Sequence, residues 1–112
     1  RQEVAKRYLT EINNPKIKMQ HQPENVLSVF HLFVVTCENK DAFEAHLKED
    51  GIDPAYHYPV PCHLQKAYAD LGYKRGDFPN SEYLADHCLS LPMYAELSNQ
   101  NVDRVIDSLN KY

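Results

Sequence analysis

Several residue types that mark particular protein classes are scarce in this chain. Tryptophan is absent from the 112 residues, and there are only three glycines and three cysteines. The cysteines, Cys37, Cys62 and Cys88, are far apart and form no CxxC pair, which argues against a zinc ribbon or a redox pair. Buried thiols in a reducing compartment are the simpler interpretation, so we expect a cytoplasmic protein.

The chain also lacks a long apolar run and an excess of positive charge. Its longest apolar stretch, near Val29–Val35, contains His31 and is far too short to cross a bilayer. The sequence predicts no signal peptide and no membrane partner. The formal net charge is −4 with histidine neutral. Because a nucleic-acid partner usually requires a basic face, we do not expect one.

The rest of the composition is that of an ordinary folded domain. Apolar residues make up 43% of the chain and charged residues 25%, and 112 residues fit one domain. The order of the patterned segments predicts an α+β fold, with helices covering a small sheet. The predicted helices are 2–12, 40–50, 64–71, 79–87 and a last one capped by Ser98. The predicted strands are 28–37, 89–91 and, at an edge or running into a rigid loop, 55–60.

Local features refine these predictions. Asp41 and Glu44 resemble a capping box at the start of the second helix, and Gly51 can end that helix in the left-handed conformation. Residues 16–26 are polar and weakly patterned, which predicts a loop. His31 is isolated in an apolar strand, where we expect a core residue with a satisfied hydrogen bond.

One short segment concentrates the side chains that could carry chemistry. Residues 56–68, YHYPVPCHLQKAY, contain two histidines, three tyrosines and one glutamine, with two prolines that stiffen the backbone. Such side chains on a rigid loop suit recognition of a polyhydroxylated ligand, and the flat rings suit a sugar or a base. The same residues also occur half-buried in structural roles, with one hydrogen bond each.

Three other interpretations of this segment remain open. His57, Cys62 and His63 could form a metal site, although their spacing matches no usual zinc pattern. Cys62 could be a nucleophile with His57 as its base, whereas His63 points to the opposite face of an extended chain. Lys66 could form a Schiff base, but it falls on the polar side of a predicted helix, where a solvated lysine is expected.

The stretch from His57 to Tyr68, HYPVPCHLQKAY, resembles the HYPxPxHxQxAY signature of the DegT-type sugar aminotransferases. Four other segments match that family in order and spacing: FHLFVV (30–35), KEDGI (48–52), LGYKRGDFPNSE (71–82) and LSLPMYAELS (89–98). The resemblance covers nearly the whole chain. It implies the small C-terminal domain of a fold-type I enzyme, similar to aspartate aminotransferase. That domain has a small, mostly antiparallel sheet covered by helices, and residues 1–12 look like the connecting helix.

The resemblance also implies an activity and its missing parts. Members of this family use pyridoxal phosphate, take an amino group from glutamate and deliver it to a keto carbon of a nucleotide-linked sugar. They work as homodimers, and their products feed lipopolysaccharide, polysaccharide or antibiotic-sugar biosynthesis. A large N-terminal domain supplies the Schiff-base lysine and most cofactor contacts, and nothing in this chain matches those motifs. The resemblance therefore implies that this chain alone binds no cofactor and cannot transaminate.

Candidate ligand contacts follow from the same resemblance. The residues implied to contact the sugar or its nucleotide diphosphate are His57, Tyr58 and His63, followed by Gln65 and Tyr68, which could instead fix the loop. No residue of the chain is implied to be catalytic, to bind the cofactor or to hold a metal.

Two further residues match the family's motifs, and two other sites depart from them. Phe30 and His31 match a motif that packs near the site, where a structural role is expected. Asp53-Pro54 stands where the family often has small residues, and Lys66 replaces a frequent proline. Because both departures can alter the shape of the loop, sugar specificity cannot be carried over from the family.

Overall fold

A three-stranded antiparallel sheet in the order β1–β2–β3 forms the centre of the fold, in a computed structural model that describes residues 1–112. Its strands are β1 (Lys18–Met19), β2 (Phe33–Thr36) and β3 (Cys88–Leu91). Four α-helices accompany it: α1 (Gln2–Glu11), α2 (Lys40–Glu49), α3 (Pro79–His87) and α4 (Asn99–Lys111). Two short 3-10 helices, Cys62–Leu64 and Lys66–Leu71, lie between α2 and α3. The predicted α+β class and the antiparallel sheet are confirmed.

The last strand, β3, pairs on both of its edges. All four of its residues are buried, and its backbone pairs with β2 along its whole length. On the other edge, Ser90 exchanges two backbone hydrogen bonds with Ala55, at 2.8 and 3.0 Å. The predicted 55–60 segment is therefore extended in the sheet for one residue and then becomes a loop. Pro59 and Pro61 are consistent with this, because they carry no N–H to donate to a ladder.

The hydrophobic core lies between the sheet and helices α1, α2 and α4. Each of these helices buries the apolar stripe that its 3.6-residue spacing predicts. Tyr8 of α1 meets the ring of Phe33 edge-on, with 5.1 Å between centroids, and donates its hydroxyl hydrogen to the Pro92 carbonyl at 3.0 Å. The largest fully buried side chains are Tyr8, Phe33, Phe43, Leu47, Leu89 and Leu109.

The first half of the predicted 28–37 strand is irregular. Phe30 has a positive φ of 45°, so the chain turns there and only Phe33–Thr36 enters the sheet. Arg1 holds this turn, because its Nη1 donates to the Phe30 carbonyl at 3.3 Å and to the His31 carbonyl at 2.7 Å. His31 is exposed at the turn, so the expectation of a core histidine is wrong.

The start of α2 and the 16–26 segment also differ from the predictions. α2 is capped by Asn39, whose side chain accepts a backbone hydrogen bond at 3.1 Å, and not by Asp41. Glu44 completes no capping box, because its carboxylate pairs with Lys48. The polar 16–26 segment is not wholly a loop, since it contains β1, which pairs antiparallel with β2.

Other helix boundaries agree with the local sequence, with one exception. Gly51 follows α2 with a φ of 70°, and Ser98 caps α4 by accepting a hydrogen bond from Asn101 N at 3.2 Å. The exception is the predicted 64–71 helix, which consists instead of the two short 3-10 helices. Its apolar stripe meets no other part of the core, so nothing favours a longer α-helix there. None of the helices has the length and apolar character needed to span a membrane.

Leu89→Ala should destabilise the chain far more than Leu27→Ala. Leu89 is fully buried in β3, whereas Leu27 is 83% exposed. Truncating a buried leucine leaves a cavity and costs about 2–5 kcal/mol, while the exposed site should change the free energy of unfolding by less than about 0.5 kcal/mol. Urea unfolding followed by circular dichroism measures both values. Equal losses in the two variants would contradict the place of β3 in the core.

Candidate functional site

The 56–68 loop leaves the sheet next to Ala55 and is tied to two helices. Tyr56 donates its hydroxyl hydrogen to the Glu44 carboxylate of α2, and its ring lies 5.2 Å from Nζ of Lys40. The Lys40 ammonium also donates to the Ala85 carbonyl of α3 at 2.7 Å. The hydrogen bond to Glu44, with burial, raises the pKa of Tyr56 to about 12, so the phenol remains a donor in neutral solution. These contacts give the loop a defined direction at its start.

His57 is oriented by the sheet, and Tyr58 is not. Nδ1 of His57 lies 2.9 Å from Oγ of Ser90, a buried residue of β3. The peptide bond between His57 and Tyr58 is cis, and the two rings are edge-on at 5.4 Å. Tyr58 is 71% exposed. The loop therefore presents one ring held by β3 beside a second ring that is accessible to a ligand.

His63 has a largely buried side chain, which pairs with the carboxylate of Glu82 on α3. Nε2 of His63 lies 2.9 Å from Oε1 of Glu82, and the two side chains are only 7% and 8% exposed. Glu82 also accepts from the backbone N–H groups of Gly76 at 2.8 and 2.9 Å and of Phe78 at 3.3 Å. Burial raises the pKa of Glu82, but the hydrogen bonds from Gly76, His63 and Phe78 outweigh it and bring the pKa below its ordinary value. Glu82 is therefore an ionised acceptor.

A cleft of about 400 Å³, here named the loop cleft, opens between the 56–68 loop and α3. Its polar groups come mainly from the loop, through His57, Tyr58, His63 and Gln65. Phe78 and Leu84 lie on the opposite side and make much of the wall apolar. A mostly apolar concave wall with a few convergent polar groups is the usual form of a small-molecule site.

Four of the five candidate contact residues meet at the loop cleft. They are His57, Tyr58, His63 and Gln65, and Gln65 makes only a long bond of 3.4 Å from Nε2 to the Val60 carbonyl. Tyr68 does not line the cleft; it lies on the second 3-10 helix with 48% of its surface exposed. The role of all five in ligand binding remains a prediction.

Sequence reasoning did not identify Glu82 and Ser90, the residues that hold the two loop histidines. Both are buried polar side chains, and such groups need hydrogen-bond partners. Glu82 lies in the first turn of α3, where an acidic residue is ordinary, and Ser90 lies within an apolar strand. Their partners are 19 and 33 positions away, so no local pattern connects the pairs.

The metal, nucleophile and Schiff-base interpretations gain no support from the geometry. No group of three or more histidine, cysteine, aspartate or glutamate side chains is placed to hold a metal ion. The side-chain partner of His57 is Ser90 and not Cys62, so Cys62 has no base. Lys66 is exposed, as expected of a solvated lysine.

Pyridoxal phosphate does not fit the residues of the loop cleft. The cofactor requires a lysine for its Schiff base and an acidic or basic partner for the pyridine nitrogen. None of the twelve residues that line the cleft is a lysine, arginine, aspartate or glutamate. The loop cleft by itself therefore offers the cofactor no covalent anchor.

Comparison with known proteins shows that the chain is similar to members of one aminotransferase family. The sequence profile of the DegT/DnrJ/EryC1/StrS aminotransferase family matches residues 1–110. The chain is 43% identical over 107 residues to the erythromycin biosynthesis sensory transduction protein EryC1 of Saccharopolyspora erythraea. The aligned region covers 95% of this chain and 29% of that protein. It is 38% identical over 112 residues to the dTDP-3-amino-3,6-dideoxy-alpha-D-galactopyranose transaminase of Aneurinibacillus thermoaerophilus. That alignment covers 100% of this chain and 30% of the transaminase.

The fold is shared as well. DesV of S. venezuelae, solved in complex with a ketimine intermediate, matches this structure with a TM-score of 0.94 at 36% identity. The match covers 98% of this chain and 30% of DesV. The chain therefore spans about 30% of the length of the relatives that it matches.

Iodoacetamide should modify Cys62 well before Cys37 or Cys88 in the folded chain. Cys62 is exposed, whereas the other two cysteines are buried. Burial also raises the pKa of the Cys88 thiol, which lowers its thiolate fraction. Peptide mass spectrometry after a short reaction locates the label, and Cys62→Ser should remove the fast phase. Modification of Cys88 at the rate of Cys62 would show that Cys88 is not buried as the structure places it.

Proposed function

The chain belongs to the DegT/DnrJ/EryC1/StrS aminotransferase family, and we propose that it is the C-terminal, substrate-facing domain of a longer sugar aminotransferase that depends on pyridoxal phosphate. In this proposal residues 1–112 form one domain, and residues 1–12 connect it to a large N-terminal domain that holds the cofactor. The coverage supports this division, because the chain spans about 30% of its relatives.

The proposed reaction transfers an amino group from glutamate to a keto carbon of a nucleotide-linked sugar. The support is the name of the transaminase from Aneurinibacillus thermoaerophilus, which specifies a dTDP-linked amino sugar. Pyridoxal phosphate would supply the electron sink for amino transfer. We propose that the product serves the biosynthesis of lipopolysaccharide, another polysaccharide or an antibiotic sugar.

The observation that carries the proposal is the composition of the loop cleft. His57, Tyr58, His63 and Gln65 bring aromatic rings and hydrogen-bonding groups to a largely apolar wall. Such a surface suits a sugar ring or a nucleobase. Because the cleft lacks lysine and carboxylate, it offers recognition without the groups that transaminate. Tyr68, outside the cleft, is proposed as an outer contact or as a support of the loop.

A free cation beside the cleft supports a ligand that carries phosphate. Lys66 lines a shallow depression that shares Tyr58 and Gln65 with the loop cleft. Two other cations of this region are engaged, since Lys74 pairs with Asp77 at 3.7 Å and Arg75 with Asp86 at 2.8 Å. Lys66 takes part in no ion pair, and we assign it to the diphosphate of the nucleotide sugar.

The proposed parent enzyme is a cytoplasmic homodimer. Several large apolar side chains are exposed on this chain, among them Val26, Leu27, Val29 and Leu71. Exposed apolar surface marks contact with other protein, here the large domain and the second subunit. All three cysteines are free, in keeping with a reducing compartment.

A second candidate function is a non-catalytic module that binds a sugar nucleotide or a protein. The observation that favours it is the name of the relative with 43% identity, which describes a sensory transduction protein and not a transaminase. The absence of a lysine from the loop cleft is compatible with both functions. The two candidates differ in whether the longer protein binds pyridoxal phosphate covalently.

A visible absorption spectrum with pyridoxal phosphate separates the two functions. The parent protein should show a lysine-bound cofactor band that survives dialysis and disappears when glutamate is added. This chain alone should show no such band, because its cleft has no lysine. A parent without the band would reject the aminotransferase and favour the non-catalytic module. A dialysis-resistant band on this chain alone would contradict the proposed division between the two domains.

Tyr58→Ala in the parent enzyme should weaken sugar-nucleotide recognition selectively. Loss of an accessible aromatic face should raise KM for the sugar nucleotide roughly three- to tenfold, with KM for glutamate unchanged. Tyr94→Ala is the matched control, because Tyr94 is 44% exposed and lies outside the loop cleft. Steady-state kinetics with both substrates give the comparison. Equal changes in KM for the sugar nucleotide in the two variants would contradict a contact between Tyr58 and the substrate.

A further inference from the structure

The two ring nitrogens of His63 have different surroundings. Nε2 lies 2.9 Å from the Glu82 carboxylate, whereas Nδ1 has no hydrogen-bond partner within the chain. Every buried side-chain nitrogen and oxygen in the structure does have a partner. Nδ1 therefore retains accessible surface, and His63 is one of the residues that line the loop cleft.

Glu82 determines which nitrogen of the neutral ring carries the proton. Both of its oxygens face backbone N–H donors, Oε1 those of Gly76 and Phe78 and Oε2 that of Gly76, and this arrangement favours the ionised carboxylate, which has no proton to give. A carboxylate in that state only accepts, and Nε2 of His63 must therefore be the donor. In the neutral ring, Nδ1 is left without a proton and becomes an acceptor.

We infer that Glu82 is a positioning residue that fixes the polarity of His63, so that Nδ1 presents a hydrogen-bond acceptor to the ligand in the loop cleft. The inference rests on the proposed function and adds a restriction to it. A bare ring nitrogen accepts from a sugar hydroxyl or a base N–H, but it repels the lone pairs of phosphate oxygens. His63 therefore recognises the sugar or base part of the substrate, and the diphosphate lies elsewhere.

The other loop histidine provides a contrast. Nδ1 of His57 pairs with the hydroxyl of Ser90 at 2.9 Å, and a hydroxyl can donate or accept. Ser90 therefore holds the His57 ring in place without deciding its tautomer. Of the two loop histidines, only His63 faces a partner of a single polarity, and for that reason the inference concerns His63 and not His57.

Glu82→Gln tests the inference by reversing the hydrogen bond. With the amide nitrogen in the place of Oε1, glutamine donates to Nε2 and moves the ring proton to Nδ1. The glutamine oxygen, in the place of Oε2, still accepts from Gly76, and the 3.3 Å hydrogen bond from Phe78 is lost. Nitrogen-15 NMR of the histidine rings, at mildly alkaline pH, identifies the tautomer in this chain without any need for activity. Wild type should show Nε2–H and a bare Nδ1, and Glu82→Gln the opposite. Protonation of Nδ1 in the neutral wild-type ring would overturn the inference.

The matched control is Asp86→Asn, one turn further along α3. Asp86 pairs with the exposed Arg75 at 2.8 Å and makes no contact with His63, so its substitution should leave the tautomer unchanged. Glu82→Asp retains the carboxylate and should retain Nε2–H. If Asp86→Asn also reversed the tautomer, a general loosening of α3 would replace the specific role of Glu82.

Steady-state kinetics of the parent enzyme test the inferred hydrogen bond between His63 and the substrate. Reversed polarity in Glu82→Gln should raise KM for the sugar nucleotide about tenfold, the effect of one lost hydrogen bond, and leave KM for glutamate unchanged. A reversed tautomer with unchanged KM would overturn the contact between His63 and the substrate. A parent that does not transaminate would reject the proposed function instead, and the NMR result would then decide the role of Glu82 alone.

Discussion

The pairing of β3 on both edges is the constraint on which the core and the candidate site depend. One edge pairs with β2 and closes the sheet over the core, and the other pairs with Ala55, where the chain enters the 56–68 loop. Ser90 takes part twice, through its backbone with Ala55 and through its hydroxyl with His57. Because Ser90 is buried, its hydroxyl needs a partner, and this requirement orients His57. The strand that completes the core thus also sets the geometry of the loop cleft.

Local sequence patterns predicted the parts of the fold that local physics determines. The helices α1, α2 and α4 were recognisable because their apolar stripes follow the helical period and face the sheet. The prediction failed at Phe30, whose positive φ accompanies a contact with Arg1, 29 positions away. It also failed for residues 64–71, where an apolar stripe is present but the chain contains nothing for it to pack against.

In the candidate site too, the residues of the motif could be predicted from the sequence, whereas their hydrogen-bond partners could not. The resemblance located His57, Tyr58, His63 and Gln65, which the structure brings to one cleft. It did not indicate that His63 is turned towards Glu82, because that pairing depends on how α3 packs against the loop. A motif records which side chains are present; only the fold decides whether their polar atoms face the ligand or another residue.

The core and the loop cleft are built from separate residues, and this separation bears on specificity. None of the twelve residues lining the cleft belongs to the hydrophobic core cluster. Ala85 and Cys88 of the cleft are buried, but substitution of its other residues can leave the packing that stabilises the domain intact. The fold shared with DesV, at a TM-score of 0.94 and only 36% identity, fits such an arrangement. A domain built in this way can keep one fold while the side chains of its cleft vary, because the cleft and the core impose their requirements on different side chains.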